Sequence, residues 1–204
     1  MIGLYINGLA GNKGTKVLIK NKYLELSKYF NNEFLDKVLV DLNGGASPPL
    51  FFEKKIVNYD TFRKSLIDKE SIKKGGLLSA LWKLCDRNKI GIEYSLMNIP
   101  LNQGTIEISN YFDLNPYRLL TENAEIALID CDKICTDKIV NIEIEQYSKS
   151  YDNINYNENA IYNYFGKATN NKKRVRIDND IESYLTKDYK DEIDKILINY
   201  TRTI

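Results

Sequence analysis

Two short glycine-containing stretches hold the residue types that could bind an anion. The first, Asn7-Gly8-Leu9-Ala10-Gly11-Asn12-Lys13-Gly14-Thr15, separates an apolar run at 2–6, which reads as a strand, from a helix-period pattern. Glycines let backbone N–H groups point at an anion, and a helix N-terminus adds a favourable partial charge. Gly11, Asn12, Lys13, Gly14 and Thr15 are therefore candidate phosphate or nucleotide ligands. The order Lys13-Gly14-Thr15 is not the Gly-Lys-Ser/Thr of a P-loop. On the loop alone, a flexible turn is the plainer reading. The second stretch, Lys73-Lys74-Gly75-Gly76, stands directly before an amphipathic helix. A helix start without side chains lets a phosphate approach the exposed amides, and the two lysines would supply charge. The competing account is close packing of the helix end on a sheet, with solvated lysines.

Other chemistry is narrowed by what the chain lacks. Histidine is absent from all 204 residues, which removes the commonest metal ligand and the best acid/base group near neutral pH. Glu70, Asp86, Glu107, Asp113 and Glu122 lie in or near the central stretch, but none is flanked in a way that predicts a raised pKa. Cys85, Cys131 and Cys135 read as free thiols, and no metal site is expected. Lys172, Lys173, Arg174 and Arg176 read as solvated charges on a hairpin, and Trp82 as core. A net charge of +1 favours neither nucleic acid nor an anionic membrane. The N-terminus has no basic segment of signal-peptide type, and no apolar run reaches membrane-span length, so a soluble cytoplasmic protein is expected.

The elements that must position these residues alternate between helix and strand. Helices are expected after the glycine loop (Ile19, Tyr23, Leu26 and Phe30 on one stripe) and after Asn31-Asn32 (Phe34, Leu35, Val38, Leu39 and Leu42). Residues 44–49 break regular structure, and 50–72 stay ambiguous apart from a helix near 59–66. The clearest helix is 76–88, with Leu77, Leu81, Leu84 and Cys85 on one face. Strands are expected at 91–96, 124–129, 139–144, 161–168 and 174–177. A helix at 103–112 and a capped start at Asn115-Pro116 intervene. Residues 147–159 read as a loop or short helix, and 189–200 as a last helix. With no repeat and no linker, residues 1–204 read as a single domain.

Several ordered segments resemble the C-terminal domain of the aminoimidazole ribonucleotide (AIR) synthetase superfamily, in its AIR synthase-related branch. They are Gly75-Gly76, Ala80-Leu81-Trp82-Lys83-Leu84, Ile99-Pro100-Leu101-Asn102-Gln103 and Asn115-Pro116-Tyr117-Arg118-Leu119-Leu120. Gly8-Leu9-Ala10-Gly11, Gly14-Thr15-Lys16, Gly166-Lys167-Ala168-Thr169, Arg174-Val175 and Asp191-Glu192 agree as well. The resemblance implies an α+β fold, a mixed sheet flanked by helices. It also implies ATP with Mg2+, and an activation in which an amide-type oxygen is phosphorylated, a step that rests on positioning and charge neutralisation. In such proteins an N-terminal domain dimerises and holds most ligands of magnesium-ATP.

This chain departs from the pattern. The resemblance starts at the C-terminal domain, so a separately encoded AIR synthase N-terminal-type domain or a homodimer is the expected partner. The usual Asp-x-Thr-Glu/Arg-Gly-Gly is here Ser71-Ile72-Lys73-Lys74-Gly75-Gly76, and a glycine usual before the apolar strand gives way to Glu122-Asn123-Ala124. The expectation is a nucleotide- or phosphate-binding subunit that is not catalytic on its own. The alternative is one half of a split ATP-dependent synthetase or kinase-like enzyme.

Overall fold

The run Ile126-Ala127-Leu128-Ile129 is apolar at consecutive positions, so a strand built from it must be covered on both faces. The computed structural model, which describes residues 1–45, 55–133, 140–141, 159–179 and 181–197, has that arrangement. Strand β5 (Glu125–Asp130) lies between β1 (Ile2–Asn7) and β3 (Leu66–Ser71), antiparallel to each. The order continues through β7 (Asn159–Thr169), β4 (Gly91–Tyr94), β8 (Arg174–Asp178) and β9 (Ile181–Tyr184). β4 and β8 run parallel. The start of β7 also pairs with β2 (Lys55–Asn58), which in turn pairs with β6 (Val140–Asn141).

The alternation along β1 and β5 sorts the core into layers. Leu4, Ile6, Ile126 and Leu128 point to one face, against Leu77, Leu81 and Leu84 of α4 (Gly76–Asn88). Tyr5, Ala127 and Ile129 point to the other, where Phe62 of α3 (Tyr59–Ser65) stacks on Tyr162 with ring centroids 4.3 Å apart. A further cluster joins α1 (Asn12–Leu26), α2 (Asn32–Val40) and α5 (Gln103–Tyr111) through Leu18, Leu26, Leu35, Val38 and Ile108. The expected caps are present, Asn31 accepting from Glu33 N and Asn115 from Tyr117 N, and Asn102 adds one by accepting from Gly104 N.

Three strands escape sequence reading. In β3 the half-buried positions are Leu66, Asp68 and Glu70. Their carboxylates face inward because Arg87 of α4 takes both, at 2.8 Å and 2.7 Å. An edge strand with inward charge carries no apolar alternation. Every residue of β9 is exposed, so it carries none either. β2 lies in the stretch left ambiguous. The expected last helix is corrected: residues 192–195 form one 3-10 turn, capped by Asp191, and Ile193 is buried while Ile196 and Leu197 pack beside it. Residues 41–45 form a π turn rather than the end of a plain helix. Of the strand expected at 139–144, only 140–141 lie within the described residues, and Cys135 and nearly all of 147–159 lie outside them.

Candidate functional site

The two glycine stretches, far apart in sequence, meet at one turn. Gly11 precedes α1 at φ 72° and Gly75 precedes α4 at φ 77°. A Cβ on Gly11 would lie 2.9 Å from the carbonyl oxygen of Pro116, and one on Gly76 would lie 2.5 Å from that of Tyr117. Both helix starts therefore press on the 3-10 turn Pro116–Arg118, and side chains there would push them off it.

Leu120 links the two starts through its backbone. Gly14 N–H donates to Leu120 O at 2.7 Å, and Leu120 N–H donates to Asp191 Oδ1 at 3.0 Å. Asp191 Oδ2 accepts from Gly75 N–H at 2.8 Å. Asp191 is 2 % exposed. Burial pushes its pKa up, while the bonds from Gly75, Ile193 and Leu120 pull it back. The negative charge that a helix N-terminus favours is thus already supplied at α4 from within the chain.

Most of the amides that made these stretches attractive are spent internally. Gly11 N–H donates to Thr121 Oγ1, Lys13 N–H to Asn12 Oδ1, Thr15 N–H to Gly11 O and Gly76 N–H to Lys73 O. Thr15 Oγ1 turns inward to Gly11 O and Thr105 Oγ1. Asn12 grips Glu122 at both backbone groups, donating to its O at 2.8 Å and accepting from its N–H at 2.9 Å. Gly11, Asn12, Gly14, Thr15, Gly75 and Gly76 therefore shape the site. Lys13, Lys73 and Lys74 are the candidates that face it.

They face one cavity of about 590 Å³, walled by Asn7, Lys13, residues 71–74 and residues 120–125. Three lysines line it together with Glu122 and Glu125. Lys16 holds one Glu122 oxygen and Lys13 lies 3.7 Å from the other. The Lys16 bond comes first among the causes that hold the Glu122 carboxyl below its ordinary value. Glu125 accepts from Tyr162 at 2.5 Å and pairs with Lys69 at 3.0 Å. This arrangement suits an anion and offers its neighbours no strong base. Among the described residues, no group of Cys, Asp and Glu is placed to hold a metal ion. The two carboxylates of the lining, Glu122 and Glu125, are both already paired with lysines.

The paired Glu122 gives a pH test with a definite sign. Its folded pKa is lowered, so its contribution is present above its ordinary value of 4.5 and is lost as pH falls below that value. Because the pair is partly solvated, Glu122→Gln should cost less than about 1 kcal/mol at pH 7. It should also flatten the fall in Tm between about pH 5 and pH 3. An acid limb identical to the parent's would show that this pairing does not form.

Other readings are sharpened. Asn123 occupies the stretch where the resemblance has a glycine, and takes a left-handed φ of 53° that Asn tolerates. Trp82 packs half-buried against the core, with the Arg174 guanidinium 4.0 Å from its ring centroid. Cys85 is sealed in the core, and burial pushes its thiol up to about 12. Sequence reading missed Asp191 as a tie. The signal for it was an Asp directly before Glu-Ile-Asp, a cap pattern read instead as the inside of a helix.

No protein-family model matches the chain, and no curated protein matches it. Solved structures do. HypE of E. coli superposes with a TM-score of 0.59 at 13 % identity, over 96 % of this chain and 52 % of that one. The HypE–HypF complex gives 0.56 at 12 %, over 91 % and 52 %. HypE in complex with ATP gives 0.54 at 11 %, over 91 % and 50 %. The chain spans about half the length of these neighbours. At such identities the likeness speaks for the fold, which is α+β and AIR synthase-like. Among the described residues, no helix is long and apolar enough to cross a membrane.

Proposed function

We propose that this chain is a one-domain, cytoplasmic nucleotide- or phosphate-binding subunit, equivalent to the C-terminal domain of AIR synthase-related proteins and not catalytic by itself. The observation that carries the proposal is the shared cavity, where Lys13 from one glycine stretch meets Lys73 and Lys74 from the other. Three lysines around a cleft of that size match the phosphate chain of a nucleotide better than a single small anion. HypE in complex with ATP, a neighbour in fold, supports ATP as the first nucleotide to test.

The same side chains explain why the subunit needs help. Ser71 stands where the resemblance has an acid, and Glu122 is neutralised by Lys16 and Lys13. Any Mg2+ that accompanies ATP would take its ligands from elsewhere: a separate AIR synthase N-terminal-type domain, or a second copy of this chain. The fold shared with HypE in complex with ATP supports a second reading on the same site. There the chain is one half of a split ATP-dependent enzyme that phosphorylates an amide-type oxygen, completed by that N-terminal partner.

Calorimetric titration with ATP, with and without Mg2+, tests the proposal. ATP should bind more tightly than sulfate at matched ionic strength, and Lys73→Ala/Lys74→Ala should weaken it about tenfold or more, since each charge-assisted contact to phosphate is strong. These side chains sit at the cavity rim, so the circular dichroism spectrum should not change. ATP binding no tighter than sulfate removes the nucleotide reading. ATP turnover by the chain alone removes the claim that it is not catalytic by itself.

A further inference from the structure

A second cavity, of about 360 Å³, is lined by Trp82, Lys172, Lys173, Arg174, Tyr184 and Leu185. The sequence suggests only a buried tryptophan and a hairpin with solvated charges. The structure stacks the two together, with the Arg174 guanidinium carbon 4.0 Å from the Trp82 ring centroid. A cation over an indole face is held there and presents its edge rather than its face.

That edge is short of acceptors. Arg174 Nη2 reaches Asp86 Oδ1 only at 3.5 Å, and the Asp86 side chain is 68 % exposed. Arg174 Nε and Nη1 and Trp82 Nε1 are buried and have no hydrogen-bond partner. Buried donors without an acceptor are rare in folded proteins, and three in one place ask for one. Arg174 nevertheless lines the cavity, and its side chain keeps 13 % of its exposure. Lys172 and Lys173 are exposed at the rim, so the local charge is positive against the single carboxylate of Asp86. Tyr184, 65 % exposed, adds a flat wall.

We propose that this cavity is a second ligand site, distinct from the lysine cleft, which takes a compact oxyanion: a phosphate or carboxylate group on a small molecule. The part of the Arg174 guanidinium side chain that stays exposed at the cavity wall supplies the charge-assisted donor such a group accepts. The two lysines draw it in.

Trp82 is the only tryptophan in the chain, so its fluorescence reports this site alone. Titrating the whole chain with inorganic phosphate, and separately with acetate, should give a saturable change that chloride at matched ionic strength does not. The tighter of the two ligands identifies which oxyanion the site takes. Arg174→Gln should weaken binding roughly tenfold, and Lys172→Ala/Lys173→Ala several-fold. The double variant changes only exposed side chains and keeps the test open if Arg174→Gln does not fold. Lys73→Ala/Lys74→Ala should leave the response unchanged, because that pair lines the other cavity. A response that chloride reproduces, that fails to saturate, or that persists in Lys172→Ala/Lys173→Ala at full affinity overturns the proposal.

Discussion

Replacing Asp191 by Ala should lower stability by about 3–5 kcal/mol, because it orphans three buried backbone donors at once. Gly75 N–H, Leu120 N–H and Ile193 N–H all end on this one carboxylate, at 2.8, 3.0 and 3.2 Å. Each is a charge-assisted bond, and among the described residues neither Gly75 N–H nor Leu120 N–H makes a backbone bond beside it. The three donors belong to segments far apart in sequence, so the loss would also release the α4 start from the turn at 116–120. For a chain of this length the Tm should fall by about 6–20 °C. Asp191→Asn should recover part of this, since one oxygen still accepts while the new amide meets a donor where a lone pair had been. Thermal unfolding followed by circular dichroism reads both variants. A loss below about 1 kcal/mol in Asp191→Ala would mean that water or a rearranged backbone satisfies these donors.

That test also bears on function. Lys73 and Lys74 precede the Gly75 tie, and the cleft wall at 120–125 begins at the Leu120 tie. An anion held between Lys13 and the Lys73-Lys74 pair is held across a joint that Asp191 closes. Nucleotide affinity should therefore fall in Asp191→Ala even where the protein still folds.

What was legible in the sequence followed from period and punctuation. The 3.6-residue pattern of α4 and the unbroken apolar run of β5 report burial directly, because α4 presents one face to the sheet and β5 is covered on both. The caps at Asn31 and Asn115 report local hydrogen bonds that need no partner elsewhere in the chain. β3 and Asp191 were not legible, for a common reason. Their burial is satisfied by residues distant in sequence: Arg87 for the carboxylates of β3, and the remote amides of Gly75 and Leu120 for Asp191. The site was half legible. Glycine spacing marks the places where backbone comes close, but the same spacing serves an external anion and an internal carbonyl. Here the internal partners, Leu120 and Asp191 among them, take the amides, and the lysines are left to line the cavity. For that reason Gly75→Asp would be a poor probe of an anion site. Its Cβ would sit 2.8 Å from Tyr189 O at a φ of 77°, and folding would fail before any phosphate could be tested.

Gly76→Ala should be nearly as damaging, at about 2–4 kcal/mol, through sterics rather than lost hydrogen bonds. The added Cβ would meet Tyr117 O at 2.5 Å and the Arg118 Cα and carbonyl carbon at 2.8 Å, all of them backbone atoms that cannot rotate away. The φ of 63° adds the usual cost of a left-handed conformation with a side chain. Relief requires the turn Pro116–Arg118 to move. That turn is pinned on its other side, where Tyr117 Oη donates to Leu96 O at 3.2 Å and Arg118 Nη1 to Asp188 O at 2.8 Å. The comparison that isolates packing is Gly14→Ala, where the new Cβ meets Leu119 Cβ at 3.1 Å and Leu120 N at 3.3 Å and the backbone φ is not positive. These contacts are a few tenths of an ångström too close rather than hard overlaps, so Gly14→Ala should cost about 1–2 kcal/mol. Urea unfolding of the pair should rank Gly76→Ala well below Gly14→Ala. Equal losses would mean that the α4 start does not press on the turn, and that Gly76 is held by something other than the contact seen here.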